Sequence, residues 1–133
     1  MTYGWVKKYI GIPFASNGRD RGGCDCYGLV RMVLRDEYGI ELPKLSGDYA
    51  NALDVAETAR LFEERLPVLA AEKVDAPEER AIVVLTERGR PCHVGIVAGG
   101  GHILHTGAKT GSVCQRETHP GLRGRIGGYY RVR

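Results

Sequence analysis

Long apolar runs are missing from this chain. No segment approaches the roughly 20 apolar residues that span a bilayer. The start, MTYGWVKKYIGIPF, has neither the apolar stretch nor the small-residue cleavage site of a signal peptide. These absences predict a protein made in the cytoplasm without membrane association. Cysteine is sparse, with four residues at Cys24, Cys26, Cys92 and Cys114. In a reducing compartment they point to chemistry, metal binding or plain burial rather than to a disulfide framework. Excess charge is small: 19 Lys and Arg face 16 Asp and Glu, a formal net charge of +3. Arginines do gather late, at Arg116, Arg123, Arg125, Arg131 and Arg133. They lack interleaved aromatic platforms or a recognisable nucleic-acid module, so a solvated basic face is expected and nucleic acid is not. Repeats and low-complexity tracts are absent too. What remains is 133 residues, 43% of them hydrophobic, enough for a single domain over 1–133 that buries a core without staples.

Two periodicities divide the chain. Trp5, Val6, Tyr9 and Ile10 are spaced for a short helix over Tyr3 to Ile10, which Gly11 and Pro13 stop. After the polar loop ASNGRDRGG, the stripe Leu29, Val30, Val33, Leu34 and Tyr38 predicts a central helix ending at Gly39. A further amphipathic helix is expected from Asn51 to about Leu66, ahead of Pro67, with Leu53, Ala56 and Leu61 inward. From there the period falls to two. AIVVLT, CHVGIVAG, HILHTG, SVCQRE and GYYRVR are short β-rich runs parted by glycines, which predicts an antiparallel meander. Helices first and strands after argue for an α+β domain, with N-terminal helices packed on a C-terminal antiparallel sheet of about five strands.

The start of the central helix carries the chemistry. Asp25 is a good N-cap, which makes Cys26 the first helical residue, on the inward stripe. Cys24 precedes the cap, in the loop. A sulfur at a helix N-terminus meets free N–H groups and the positive end of the helix dipole, which favour the nucleophilic thiolate and could also stabilise an oxyanion. Such a thiol is expected to react with iodoacetamide well below the ordinary thiol pKa. Gly28 is expected to leave room for substrate beside the sulfur. Most free cysteines are simply small buried hydrophobes, so a partner base decides the matter.

CHVGIVAGGGHILH supplies a candidate base. With a three-residue turn at Gly99 to Gly101, Gly95 faces His105, and His93 and His105 become diagonal neighbours on one face. Shifted by one residue they lie directly opposite, whereas a two-residue turn would part them. Gly95 is expected to admit the end of the Cys26 helix. The set is then Cys26 as nucleophile, His93 as base and His105 as the polar group that orients it. His102 and His119 receive no role.

YIGIPF, then DCYGLV with GIELP downstream, then HVGIVAGGGHILH, resembles the NlpC family of papain-like cell-wall cysteine peptidases. The resemblance covers about Tyr9 to His105. It implies a papain-like fold, with Cys26, His93 and His105 matching nucleophile, base and third member. It further implies hydrolysis of peptidoglycan stem peptides, commonly between γ-D-Glu and diaminopimelate or lysine, without a cofactor or metal. Two positions depart from the family pattern, Tyr27 for its serine and Phe14 for its tyrosine. With Asp25, these are candidate substrate-binding or oxyanion positions. GRDRGGCDCYGLVR and the compact length are similar to versions from phage tail clusters, which implies tail or tail-tip partners, a place in a virion or phage-like particle, and action at the bacterial wall.

Two other readings compete. One is a tail-assembly protein with the same fold and little catalysis, suggested by Tyr27. The other is a zinc module drawing on Cys24, Cys26, Cys92, His93, His105 and Cys114, although their spacing does not reproduce the paired motifs of structural zinc sites.

Overall fold

Asp25 starts the helix as its sequence position predicts. Its backbone is extended (φ −93°, ψ −172°), and its carboxylate accepts the Gly28 N–H at 2.9 Å, satisfying a donor that the first turn leaves free. Helix α1 runs Cys26–Tyr38 and ends at Gly39, whose φ of 66° is the left-handed conformation glycine adopts at little cost. The Gly39 N–H then donates to Arg35 O and the Ile40 N–H to Leu34 O, closing the last turn. In this computed structural model, residues 1–44, 60, 64–65 and 72–132 are described. The expected helix from Asn51 to Leu66 lies almost wholly outside the described residues; of it only Arg60, Glu64 and Arg65 are described, each helical.

Ahead of α1 the chain is more irregular than its spacing suggests. The helix expected over Tyr3 to Ile10 is a single 3-10 turn, Val6–Tyr9, and Ile10 is already extended (φ −84°, ψ 136°). Gly4, Gly11 and Pro13 leave too short a stretch to propagate an α-helix. The turn is held by side chains. Tyr9 is fully buried and its hydroxyl donates to Glu37 Oε2 at 2.6 Å. The polar loop that follows contains a two-stranded ribbon of β1, Arg19–Asp20, and β2, Gly23–Cys24.

Among the described residues the main sheet has six strands rather than five. They are β3, Glu72–Val74; β4, Ile82–Glu87; β5, Arg90–Gly99; β6, His102–Gly107; β7, Gly111–Arg116; and β8, Ile126–Arg131. Their order is β3-β8-β4-β5-β6-β7, every neighbouring pair antiparallel. The expected meander therefore holds from β4 to β7 only, because β8 returns to lie between β3 and β4. β3 carries no apolar alternation, only the short half-exposed run Glu-Lys-Val, so periodicity gave it no signal. One face of the sheet presents Ile82, Val84, Val94, Ile96 and Leu104 to the α1 stripe of Leu29, Val30 and Val33. The other presents Ala81, Val83, Leu85, Val97 and Ile103, covered by Leu122. Burial on both faces explains why AIVVL reads as a continuous apolar run. Among the described residues, no helix is long and apolar enough to cross a membrane.

The β5–β6 turn reaches the expected register by another route. Gly99 pairs with His102 around a two-residue turn of Gly100 and Gly101, both at positive φ, and the register shifts between Val97 and Gly99. The irregularity at Ala98 restores the parity that a two-residue turn alone would have reversed. Ile96 then faces Leu104, so continuing the register sets Gly95 against His105.

Candidate active site

The site is built where the start of α1 meets β5. Cys26 is 6% exposed, and its sulfur takes main-chain hydrogen bonds from Val94 and Tyr27. The contact at β5 is thus with the main chain beside His93 rather than with the His93 ring. Burial, followed by the Asp25 charge, pushes the Cys26 thiol up to about 12, against the lowering effect of both N–H groups and Arg19. Desolvation outweighs the helix start here, and the resting sulfur is a thiol, not the activated thiolate expected from its place on the helix.

His93 on β5 and His105 on β6 come together as the parity argument predicts. His93 Nε2 lies 3.4 Å from His105 Nδ1, with the rings edge to face at 83°. Burial, then His105 and Arg125, lowers His93 to about 3. Burial lowers His105 also, with Arg125 and His119 adding to that and its hydrogen bond to Gln115 Oε1 opposing it. Both rings are neutral near pH 7. The Cys26 thiol and both imidazoles are therefore uncharged at rest.

The space beside Gly28 and Gly95 is taken up by other parts of the chain. A Cβ on Gly28 would stand 2.0 Å from Gly18 O, so this glycine admits the Gly18 loop rather than substrate. A Cβ on Gly95 would stand 2.8 Å from Leu104 O, 2.9 Å from Ile103 Cγ2 and 3.2 Å from His105 Cβ. Gly95 therefore lets β6 and His105 close on β5.

The three candidate binding positions are tied into the scaffold. Asp25 is 0% exposed. Besides capping α1, it accepts the Asn17 N–H at 2.8 Å and Arg19 Nη1 at 2.9 Å. Tyr27 is buried, donates its hydroxyl to Pro43 O at 2.6 Å and lies 5.3 Å beneath the Arg19 guanidinium. Phe14 is half-buried, its main chain bridged to Cys24.

Three residues that the sequence left aside also lie here. Gln115 Oε1 is 2.7 Å from His105 Nε2, and Gln115 Nε2 is 3.4 Å from His119 Nε2. His105 pairs with Val113, which places Gln115 diagonally opposite it. Counting parity through the Gly107–Gly111 turn would have found it. Arg125 is anchored by Thr86 O and Gly121 O at 3.0 and 3.1 Å; no periodicity marks a loop residue of this kind. Among the described residues, no three or more His, Cys, Asp or Glu are grouped to hold a metal ion. Of the zinc candidates, Cys92 turns to Leu85 O, while Cys24, Cys26 and Cys114 belong to the core on the α1 side.

The NlpC/P60 family model matches residues 11–125, a span that takes in the helix start, both histidines and Gln115. The chain belongs to the NlpC/P60 family. Members of this family are cysteine peptidases and peptidoglycan hydrolases. Solved structures agree on the fold. The NlpC/P60 domain of the peptidoglycan hydrolase SagA is similar at 20% identity and a TM-score of 0.61, over 93% of this chain and 90% of that one. An NlpC/P60 protein from Bacillus cereus is similar at 19% identity and a TM-score of 0.67, and a lipoprotein-like member from Staphylococcus aureus at 21% and 0.62, each over 96% of this chain. The chain spans only 37% and 38% of those two proteins. No curated protein matches it significantly.

Proposed function

We propose that this NlpC/P60 chain is a cysteine peptidase that hydrolyses peptidoglycan stem peptides, with Cys26 as nucleophile, His93 as base and His105 as its support. The observation that carries the reading is the buried thiol at the start of α1, bonded to Val94 N–H beside a histidine whose Nε2 already faces another imidazole. With Nε2 engaged, His93 Nδ1 is the nitrogen left to take the thiol proton. Sulfur then bonds to the amide carbon, and main-chain N–H groups of the first turn stabilise the oxyanion. Collapse breaks the C–N bond, and the His93 proton leaves with the amine. Water, losing its proton to the same nitrogen, then splits the thioester and restores the thiol.

The bond implied by the resemblance is that joining γ-D-Glu to diaminopimelate or lysine, and delivery by a phage tail rests on the similarity of GRDRGGCDCYGLVR and on the compact length. Cys26→Ala should abolish release of soluble fragments from purified peptidoglycan, and mass spectrometry of wild-type fragments should show new termini at that bond. Full cleavage by the Ala variant would overturn the assignment.

A further inference from the structure

The histidine pair continues outward to two side chains, Gln115 and His119, that the peptidase reading does not use. His93 Nε2 meets His105 Nδ1 at 3.4 Å, His105 Nε2 meets Gln115 Oε1 at 2.7 Å, and Gln115 Nε2 meets His119 Nε2 at 3.4 Å. We propose that Gln115 is a positioning residue that fixes the tautomer of both histidines. Its amide oxygen only accepts, so His105 Nε2 carries a proton. Neutral His105 then has a lone pair on Nδ1, which accepts from His93 Nε2–H. Neutral His93 is left with its lone pair on Nδ1, the atom that must receive the thiol proton. The same arrangement serves after transfer, because imidazolium His93 keeps Nε2–H directed at His105. The opposite amide orientation would reverse every donor and leave a neutral His93 protonated at Nδ1, unable to act as base there.

The outer histidine competes for that oxygen. The Gly121 N–H donates to His119 Nδ1 at 3.0 Å, so neutral His119 carries its proton on Nε2 and would itself prefer the amide oxygen. The shorter contact belongs to His105, which is the more buried of the two rings. The inner tautomers are therefore set by Gln115 and not by His119. Among the described residues, the charged and titratable groups acting on the rings are Arg125, from the segment before β8, and His119, from the loop after β7.

Imidazole 15N spectra of the full chain test this without reference to catalysis. At pH 7, wild type should show His93 and His105 protonated at Nε2 with pyridine-type Nδ1, and His119→Ala should leave both unchanged. Gln115→Leu should release His105 into a mixture of tautomers and lower kcat by about tenfold, with KM little altered, the size of effect expected for one lost hydrogen bond. Gln115→Glu keeps an acceptor, so it should retain the wild-type tautomers and move the acid limb of the kcat/KM profile to higher pH, because a carboxylate favours imidazolium. Nδ1–H at His105 in wild type, a tautomer change in His119→Ala, or Gln115→Leu spectra and pH profile indistinguishable from wild type would each overturn the proposal. The kinetic arm rests on the peptidase reading. If Cys26→Ala cleaves normally, that reading falls while the spectra still decide the role of Gln115.

Discussion

Around Cys26, two opposing shifts define what the resting protein can do. A thiol pushed up to about 12 and an imidazole lowered to about 3 leave the neutral pair as the dominant form across the physiological range. Catalysis from that form needs no preformed thiolate. The expected kcat/KM profile is therefore flat between about pH 5 and 9, and an acid limb near the ordinary histidine value of about 6.5 would contradict it. Alkylation should show the same balance: at pH 7 iodoacetamide should label buried Cys26 no faster than half-buried Cys114, a comparison read by peptide mapping. Thr106 offers a test of packing. Its Oγ1 is buried and has no hydrogen-bond partner among the described residues, so the near-isosteric Thr106→Val should raise stability by about 1 kcal/mol, measured as a higher urea midpoint.

Among the elements, close approach of backbone decides which substitutions are tolerated. Gly95→Ala would put a methyl group into Leu104 O and Ile103, and overpacking of this kind typically costs about 1–3 kcal/mol. The methyl group would also press on His105 Cβ, so kcat should fall in protein that remains folded, as checked by circular dichroism. The helix start was legible because capping is local chemistry: Asp25, Cys26 and Gly39 each act within one turn of where they stand. The shared face of His93 and His105 was legible from parity, although the compensating irregularity at Ala98 was not, since two residues of turn plus one bulge give the same register as the three-residue turn. What glycine makes room for was not legible. Gly28 and Gly95 both face a neighbour distant in sequence or in the next strand, and spacing along one strand or helix carries no record of that neighbour. The insertion of β8 beside β3 escaped for the same reason, since Tyr129 and Tyr130 reveal a strand but not its partners.

For the whole molecule, the neutral histidines link stability to pH. In the unfolded chain both titrate near 6.5, whereas in the folded protein both are shifted down, His93 to about 3. As pH falls below about 6.5, the unfolded chain binds protons that the folded one does not, so stability is lost on acidification. The slope approaches about 1.4 kcal/mol per pH unit for a histidine held fully neutral. Asp36, Glu37 and Glu78 are shifted below their ordinary values of 3.8, 4.5 and 4.5, so their loss begins at lower pH and is separable. The urea midpoint should drop between pH 6.5 and 5, and His93→Gln should flatten that part of the curve. The position of β8 also bears on biosynthesis. Its Ile126–Arg131 segment is an interior strand that pairs with both β3 and β4, so a nascent chain cannot close its sheet until those residues have cleared the ribosome. A chain arrested while they are still in the exit tunnel should remain protease-sensitive, although α1 and the β5–β6 hairpin that carry Cys26, His93 and His105 have already emerged.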